Sequence, residues 1–211
     1  MTDQDPEIQL HGLFPTPVYV GKRDTNLTPR EEKEIKEIID EGVHNNISNI
    51  TSNNSYIFDD KLKEIKQFCE QQLKIYIKNI ISPIGELDFY ITQSWLNITK
   101  PGESHHEHSH SYSIISGVFY ILTEEDDSIS FSDPNIKVKE VIKFDSEFNM
   151  WNSAYVTIPI KTNEILLFPS WLDHKVMPNE KATSNRISIS FNTFVRGTLG
   201  KENELYKLVL K

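Results

Sequence analysis

The chain has 211 residues and a formal charge of -9, with 22 Lys and Arg against 31 Asp and Glu. That length suffices for one domain with a sizeable core, and the acidic balance without a basic block disfavours nucleic acid and anionic membranes as partners. The single cysteine, Cys69, excludes an internal disulfide, the start Met1-Thr2-Asp3-Gln4-Asp5 lacks the basic and apolar parts of a signal peptide, and no apolar stretch is long enough to span a bilayer. A soluble, cytoplasmic protein is expected.

Residues 1 to about 10 read as a polar lead-in. Leu13-Phe14-Pro15-Thr16-Pro17-Val18-Tyr19-Val20 reads as an edge strand, because its prolines cannot donate to a ladder on both sides. Thr28-Pro29-Arg30-Glu31 has the capping-box pattern with Pro29 at the first helical position; Ile35, Ile38 and Ile39 then mark an apolar face, and Gly42 is the expected terminator. Turn formers are too dense from Asn45 to Ser55 for regular structure, so a loop is expected. A second helix is predicted from Asp59 or Asp60, with Leu62, Ile65, Cys69, Leu73, Tyr76 and Ile80 at helical spacing, ending before Pro83. These stripes predict a helical buttress over about 28–82 that packs on the outside of another layer.

From Asp88 the period changes to that of a strand, through Phe89, Ile91 and Trp95, and Lys100-Pro101-Gly102 closes it as a turn. Next comes Ser104-His105-His106-Glu107-His108-Ser109-His110, in which five of the six residues from His105 carry an imidazole or a carboxylate, against three histidines in the rest of the chain. In an extended chain His106, His108 and His110 share one face, and His105, Glu107 and Ser109 the other. Either His108 with His110 or His105 with Glu107 can therefore face one ion, and the third ligand is expected from His174 in Pro169-Ser170-Trp171-Leu172-Asp173-His174. Two ligands one residue apart, a distant third and open positions make up the facial arrangement of non-haem iron(II) oxygenases. The plainer alternative is a His-rich solvated loop or a stray zinc site.

The His cluster and the run Ile114 to Leu122 are expected as one or two strands, and Glu124-Glu125-Asp126-Asp127 reads as a solvated acidic turn. Short strands follow at Ser128 to Ser132, Ile136 to Phe144, Tyr155 to Ile160, Glu164 to Phe168 and Arg186 to Val195, while Glu204 to Lys211 suits a short helix or a last strand. Between Arg186 and Asn192 the alternation is unbroken, with Arg186, Ser188, Ser190 and Asn192 on one face and Ile187, Ile189 and Phe191 on the other. Inside a barrel an arginine and a serine so placed can hold a carboxylate; in a sheet with one wet face, Arg186 simply meets solvent. Helices followed by many short strands predict a mainly β fold, an antiparallel double-sheet jelly roll of about 87–197 within a single domain of 1–211.

The order Pro101-Gly102, His108-x-His110, Ser116-Gly117-Val118-Phe119-Tyr120, Phe168-Pro169 with His174, and Arg186-x-Ser188 resembles the iron(II)- and 2-oxoglutarate-dependent dioxygenases. It is most similar to small phage and marine-bacterial oxygenases with an H-x-H-x-x-S-x-x-S-G-V-Y-Y-like run. The resemblance covers about residues 89 to 195, with a weaker echo at Phe14-Pro15-Thr16-Pro17. It implies a double-stranded β-helix with iron(II) on His108, His110 and His174. Arg186 and Ser188 match the pair that grips the far carboxylate of 2-oxoglutarate, and Tyr120 falls where related prolyl hydroxylases place a tyrosine on the same group. Trp95 and Asn97 are implied pocket residues. One departure stands out, since His110 occupies a position that is usually Asp or Glu; the register through His105 and Glu107 would restore a carboxylate but flips the strand face. The implied reaction consumes O2 and 2-oxoglutarate, gives succinate and carbon dioxide, and hydroxylates a C–H bond of a small molecule or a protein side chain, in a host's cytoplasm were the chain phage-encoded. Two other readings stay open: a three-histidine, cupin-like dioxygenase that does without 2-oxoglutarate and uses Arg186 on its substrate, and a non-catalytic metal-binding jelly roll. The spans Asn45 to Ser55 and Asp145 to Ala154 are the expected specificity loops.

Overall fold

The computed structural model describes residues 9, 11–85, 87–134, 149, 151–201, 203 and 206–211. Its backbone is set by two long strands, β4 (Leu87–Thr99) and β11 (Arg186–Leu199), which pair antiparallel from Arg186 opposite Thr99 to Gly197 opposite Leu87. The remaining strands are β1 (Tyr19–Lys22), β2 (Val43–Asn46), β3 (Asn49–Ser52), β5 (His105–His108), β6 (Ile115–Leu122), β7 (Ser128–Ser132), β8 (Tyr155–Pro159), β9 (Glu164–Pro169), β10 (His174–Val176) and β12 (Leu208–Leu210). The larger sheet runs β1-β9-β6-β11-β4-β3-β2, with β12 on the end of β11, and the smaller runs β5-β10-β7-β8. Antiparallel pairing throughout both sheets gives the expected jelly roll.

The central strands of the larger sheet, β6, β9 and the first half of β11, are buried on both faces, and alternation within them sends different chemistry each way. Phe119, Ile121, Ile165, Leu167, Ile189 and Phe191 point outward onto Ile38, Leu62, Ile65, Cys69, Leu73 and Tyr76 of the helical layer. Tyr120, Leu166 and Phe168 point inward, where they meet Ile129, Phe131 and Leu172. The face of β11 that carries Arg186, Ser188 and Ser190 is therefore a cavity wall and not a wet surface. Gly117 makes this layering close: a Cβ there would sit on the Phe191 ring, with two ring carbons at 2.6 Å. We expect Gly117→Ala to destabilise the protein by about 1–3 kcal/mol through overpacking, read as a lower Tm in thermal unfolding; an unchanged Tm would contradict that packing.

Helix α1 (Pro29–Asp40) begins on the predicted capping box, in which Glu31 N–H donates to Thr28 Oγ1 (3.2 Å) and Thr28 N–H donates to Glu31 Oε2 (2.8 Å). Glu31 is fully buried and its charge is met by Arg23 at 2.8 Å. The single second helix is corrected to two, α2 (Ile57–Asp60) and α3 (Lys63–Tyr76), followed by a π turn over Ile77–Ile81. Leu62 takes a left-handed conformation (φ 57°) between them, with its N–H donated to Glu34 Oε2. Ile80 consequently falls off the buried stripe.

The predicted loop from Asn45 to Ser55 is instead largely the β2–β3 hairpin, which turns at Ser48 (φ 65°) and extends the larger sheet through Ile50 opposite Ile98. Backbone pairing to β4 overrides the turn propensity of its residues. The N-terminal edge strand is shorter than predicted, because only Tyr19–Lys22 pairs with β9 while Leu13 and Phe14 are exposed. The last segment resolves to a strand, β12. The predicted strand Ile136 to Phe144 and most of the polar lead-in lie outside the described residues. Among the described residues no helix is long and apolar enough to cross a membrane.

Candidate active site

Three imidazoles from separate parts of the chain meet between the sheets. His174, at the start of β10, stands opposite His108 at the end of β5, and His110 follows just beyond, its N–H donated to the Ser170 carbonyl. Ring centroids are 4.4 Å apart for His108 and His174, 5.0 Å for His108 and His110, and 5.2 Å for His110 and His174. One ring nitrogen from each lies within 4.8 Å of those of the other two.

Each Nδ1 is already engaged: that of His108 with the His106 carbonyl (2.8 Å), that of His110 with Asn192 Oδ1 (2.7 Å), and that of His174 with the Leu172 carbonyl (3.0 Å). An acceptor on Nδ1 fixes the tautomer and leaves the Nε2 lone pair free, the state a metal ligand needs. Asn192 Oδ1 also accepts from Ser116 Oγ (3.0 Å). Trp95 stacks on the His110 ring at 6.0 Å. Burial pushes the histidine pKa values down, to about 4 for His110 and about 3 for His174 and His105, and neighbouring imidazoles add to the shift; His108 is lowered for the same main reason. The donor set is thus neutral, oriented and aimed at one point, so it fits a divalent ion.

A pH dependence follows. The unfolded chain protonates these imidazoles near the ordinary value of 6.5, the folded chain only near 3–4, so between those limits the unfolded state binds more protons and stability falls as pH drops. The metal-free protein should therefore lose Tm from about pH 7 to about pH 5; a flat profile across that interval would contradict burial of neutral imidazoles.

One wall of the cavity is built from rows across the larger sheet. Ser188 lies between Asn97 of β4 and Tyr120 of β6, Ser190 between Trp95 and Val118, and Arg186 opposite Thr99. His108, His110, His174, Arg186, Ser188, Tyr120, Trp95 and Asn97 all line one cavity, so the residues of the His108–His110 reading are brought together. Arg186 is 7% exposed, and its Nη1 stands 3.6 Å from Asp127 Oδ1, close enough for attraction but beyond a hydrogen bond. Its donors remain available to a carboxylate. Burial raises the Tyr120 hydroxyl's pKa, so it stays a neutral donor.

Three features differ from expectation. β5 carries a bulge, since the four residues from His105 to His108 oppose the three from Val176 to His174. The extra residue breaks the alternation, so His105 joins His108 and His110 on the cavity wall instead of pairing with Glu107. Glu107 turns out to Lys175 Nζ at 3.2 Å, which removes the carboxylate register from the site. Asp127 is not part of a solvated turn: it is 5% exposed, held by Asn179 Nδ2 and the Glu124 N–H behind Arg186. Asn192 was on the correct face in the sequence pattern, whereas nothing local marks Asp127.

The jelly roll thus brings three imidazoles and a buried arginine to one cavity, a set of side chains that fits a divalent metal ion beside a carboxylate. Residues 93–192 match the family described as "Putative 2OG-Fe(II) oxygenase", and that span holds all of these side chains. Over that span, just under half of its length, the chain is similar to the iron(II)- and 2-oxoglutarate-dependent oxygenases, enzymes whose cofactors are iron(II), 2-oxoglutarate and O2. No curated protein matches the sequence. Similar solved structures include a Trichoplax adhaerens prolyl hydroxylase in complex with a hypoxia-inducible-factor peptide fragment (12% identity, TM-score 0.56, 84% of this chain and 83% of that one). HygX from Streptomyces hygroscopicus, with nickel, 2-oxoglutarate and hygromycin B bound, is 9% identical at TM-score 0.54 over 84% and 82%. A Pseudomonas putida prolyl-4-hydroxylase is 9% identical at TM-score 0.51 over 84% and 92%. At these identities the likeness is one of fold.

Proposed function

We propose that His108, His110 and His174 hold iron(II), that Arg186 and Ser188, with Tyr120, grip the far carboxylate of 2-oxoglutarate, and that the enzyme hydroxylates a small molecule or a protein side chain in the cytoplasm. The observation that carries this reading is the convergence of three oriented, neutral imidazoles and a buried, incompletely paired arginine on one cavity. Iron(II), when bound, couples decarboxylation of 2-oxoglutarate to succinate and carbon dioxide with oxygenation of a C–H bond. The protein's own contributions are positional. Arg186 offers a planar fork to a carboxylate, with the Ser188 hydroxyl beside it, and Asp127 keeps that fork in place from behind. Asn192 and two backbone carbonyls hold the imidazoles in the tautomer that leaves Nε2 bare.

The wall opposite the histidines is polar, with Asn97 Nδ2 donating to Ser190 Oγ (2.9 Å) and Asn49 Oδ1 buried without a partner. That lining suits a substrate that brings a hydrogen-bond donor into the cavity. Succinate formation and oxygen consumption, measured on the iron-loaded protein with and without 2-oxoglutarate, test the proposal. Both should require 2-oxoglutarate. Because His110 replaces the usual carboxylate, the second reading is oxygen activation without 2-oxoglutarate, and oxygen uptake indifferent to it would establish that instead.

A further inference from the structure

His108 belongs to a second group of imidazoles as well. Ring nitrogens of His105, His106 and His108 also lie within 4.8 Å of one another, with ring centroids 5.1, 4.5 and 4.9 Å apart. The bulge in β5 makes this grouping, since regular alternation would hold His105 and His108 on opposite faces. His106 Nδ1 is buried with no hydrogen-bond partner, an arrangement that costs free energy unless something binds it. His108 can serve both groups only through Nε2, because its Nδ1 is held by the His106 carbonyl.

We propose that His105, His106 and His108 form a second metal seat for a borderline divalent cation such as zinc, overlapping the first and exclusive with it because His108 is common to both. Three imidazoles without a carboxylate favour zinc, nickel or copper over magnesium or calcium. Glu107, the one carboxylate in the run, is turned away to Lys175. Zinc held here withdraws His108 from the iron seat and blocks iron loading without touching His110 or His174. The inference stands apart from what the first seat catalyses.

Equilibrium dialysis of zinc(II) against a chelator buffer tests it on four forms: the wild type, His110→Ala/His174→Ala, His105→Ala/His106→Ala, and His108→Ala. The first three should each bind one ion per chain. His108→Ala, which leaves two imidazoles at either seat, should bind at least ~10-fold more weakly than all of them, a margin of 1.4 kcal/mol. The proposal is overturned if His110→Ala/His174→Ala binds zinc no better than His108→Ala. Should that double variant fail to fold by circular dichroism, His110→Gln/His174→Gln takes its place with the same two outcomes. Succinate formation by the wild type is read separately, so loss of the second seat leaves the oxygenase reading intact, and the converse holds.

Discussion

Replacing His174 by alanine is expected to lower succinate formation by about 10^3-fold or more, because a three-imidazole seat reduced to two no longer holds iron where 2-oxoglutarate binds. His174 is 5% exposed and wedged beside Phe131 and Phe168, whose rings lie 6.1 and 4.7 Å away, so its position is fixed by the core as well as by the Leu172 carbonyl. No other titratable ligand on β10 replaces it, since Lys175 points to Glu107 and Tyr155. Iron captured by His105, His106 and His108 would not restore turnover in this variant. Truncating so buried a side chain also costs stability through the cavity it leaves, so turnover is compared where the variant is folded. Succinate assayed at saturating iron, with unfolding followed alongside, decides it. Activity within tenfold of the wild type would remove His174 from the metal centre.

The second large effect belongs to Arg186. Arg186→Lys keeps a positive charge near Asp127 but loses the planar fork, so the KM for 2-oxoglutarate should rise on the order of 10-fold or more. Arg186→Ala removes the charge as well and should raise it by about 10^2-fold or more, and Asp127 then sits buried without its counter-charge. Neither substitution touches the imidazoles, so metal affinity should be little changed. The graded response distinguishes recognition of a carboxylate from a purely structural ion pair: a structural pair would lower Tm in both variants while leaving KM unaltered.

Much of this site was legible because strand alternation carries over directly from sequence to sheet. Arg186, Ser188 and Ser190 do share a face, and the opposite residues Ile187, Ile189 and Phe191 lie against the helical layer. Alternation failed where the backbone departs from a regular strand. The β5 bulge rotated His105 onto the cavity side, and no residue in His105-His106-Glu107-His108 announces it. Asp127 was hidden for a different reason: three acidic neighbours made a solvated turn the simplest reading, and only the fold shows that the fourth carboxylate reaches back to Arg186. The β2–β3 hairpin was likewise masked, since Asn and Ser favour turns locally while edge pairing with β4 is a long-range effect. The helix break at Leu62 also depends on a distant partner, the Glu34 carboxylate.

The most direct measurement is an anaerobic crystal structure of the protein with iron(II) and 2-oxoglutarate. The account predicts one ion bonded to imidazole nitrogens of His108, His110 and His174, with the far carboxylate of 2-oxoglutarate on Arg186 and Ser188. An ion that lacks any of those three imidazoles, or a cosubstrate carboxylate placed away from Arg186, would contradict it.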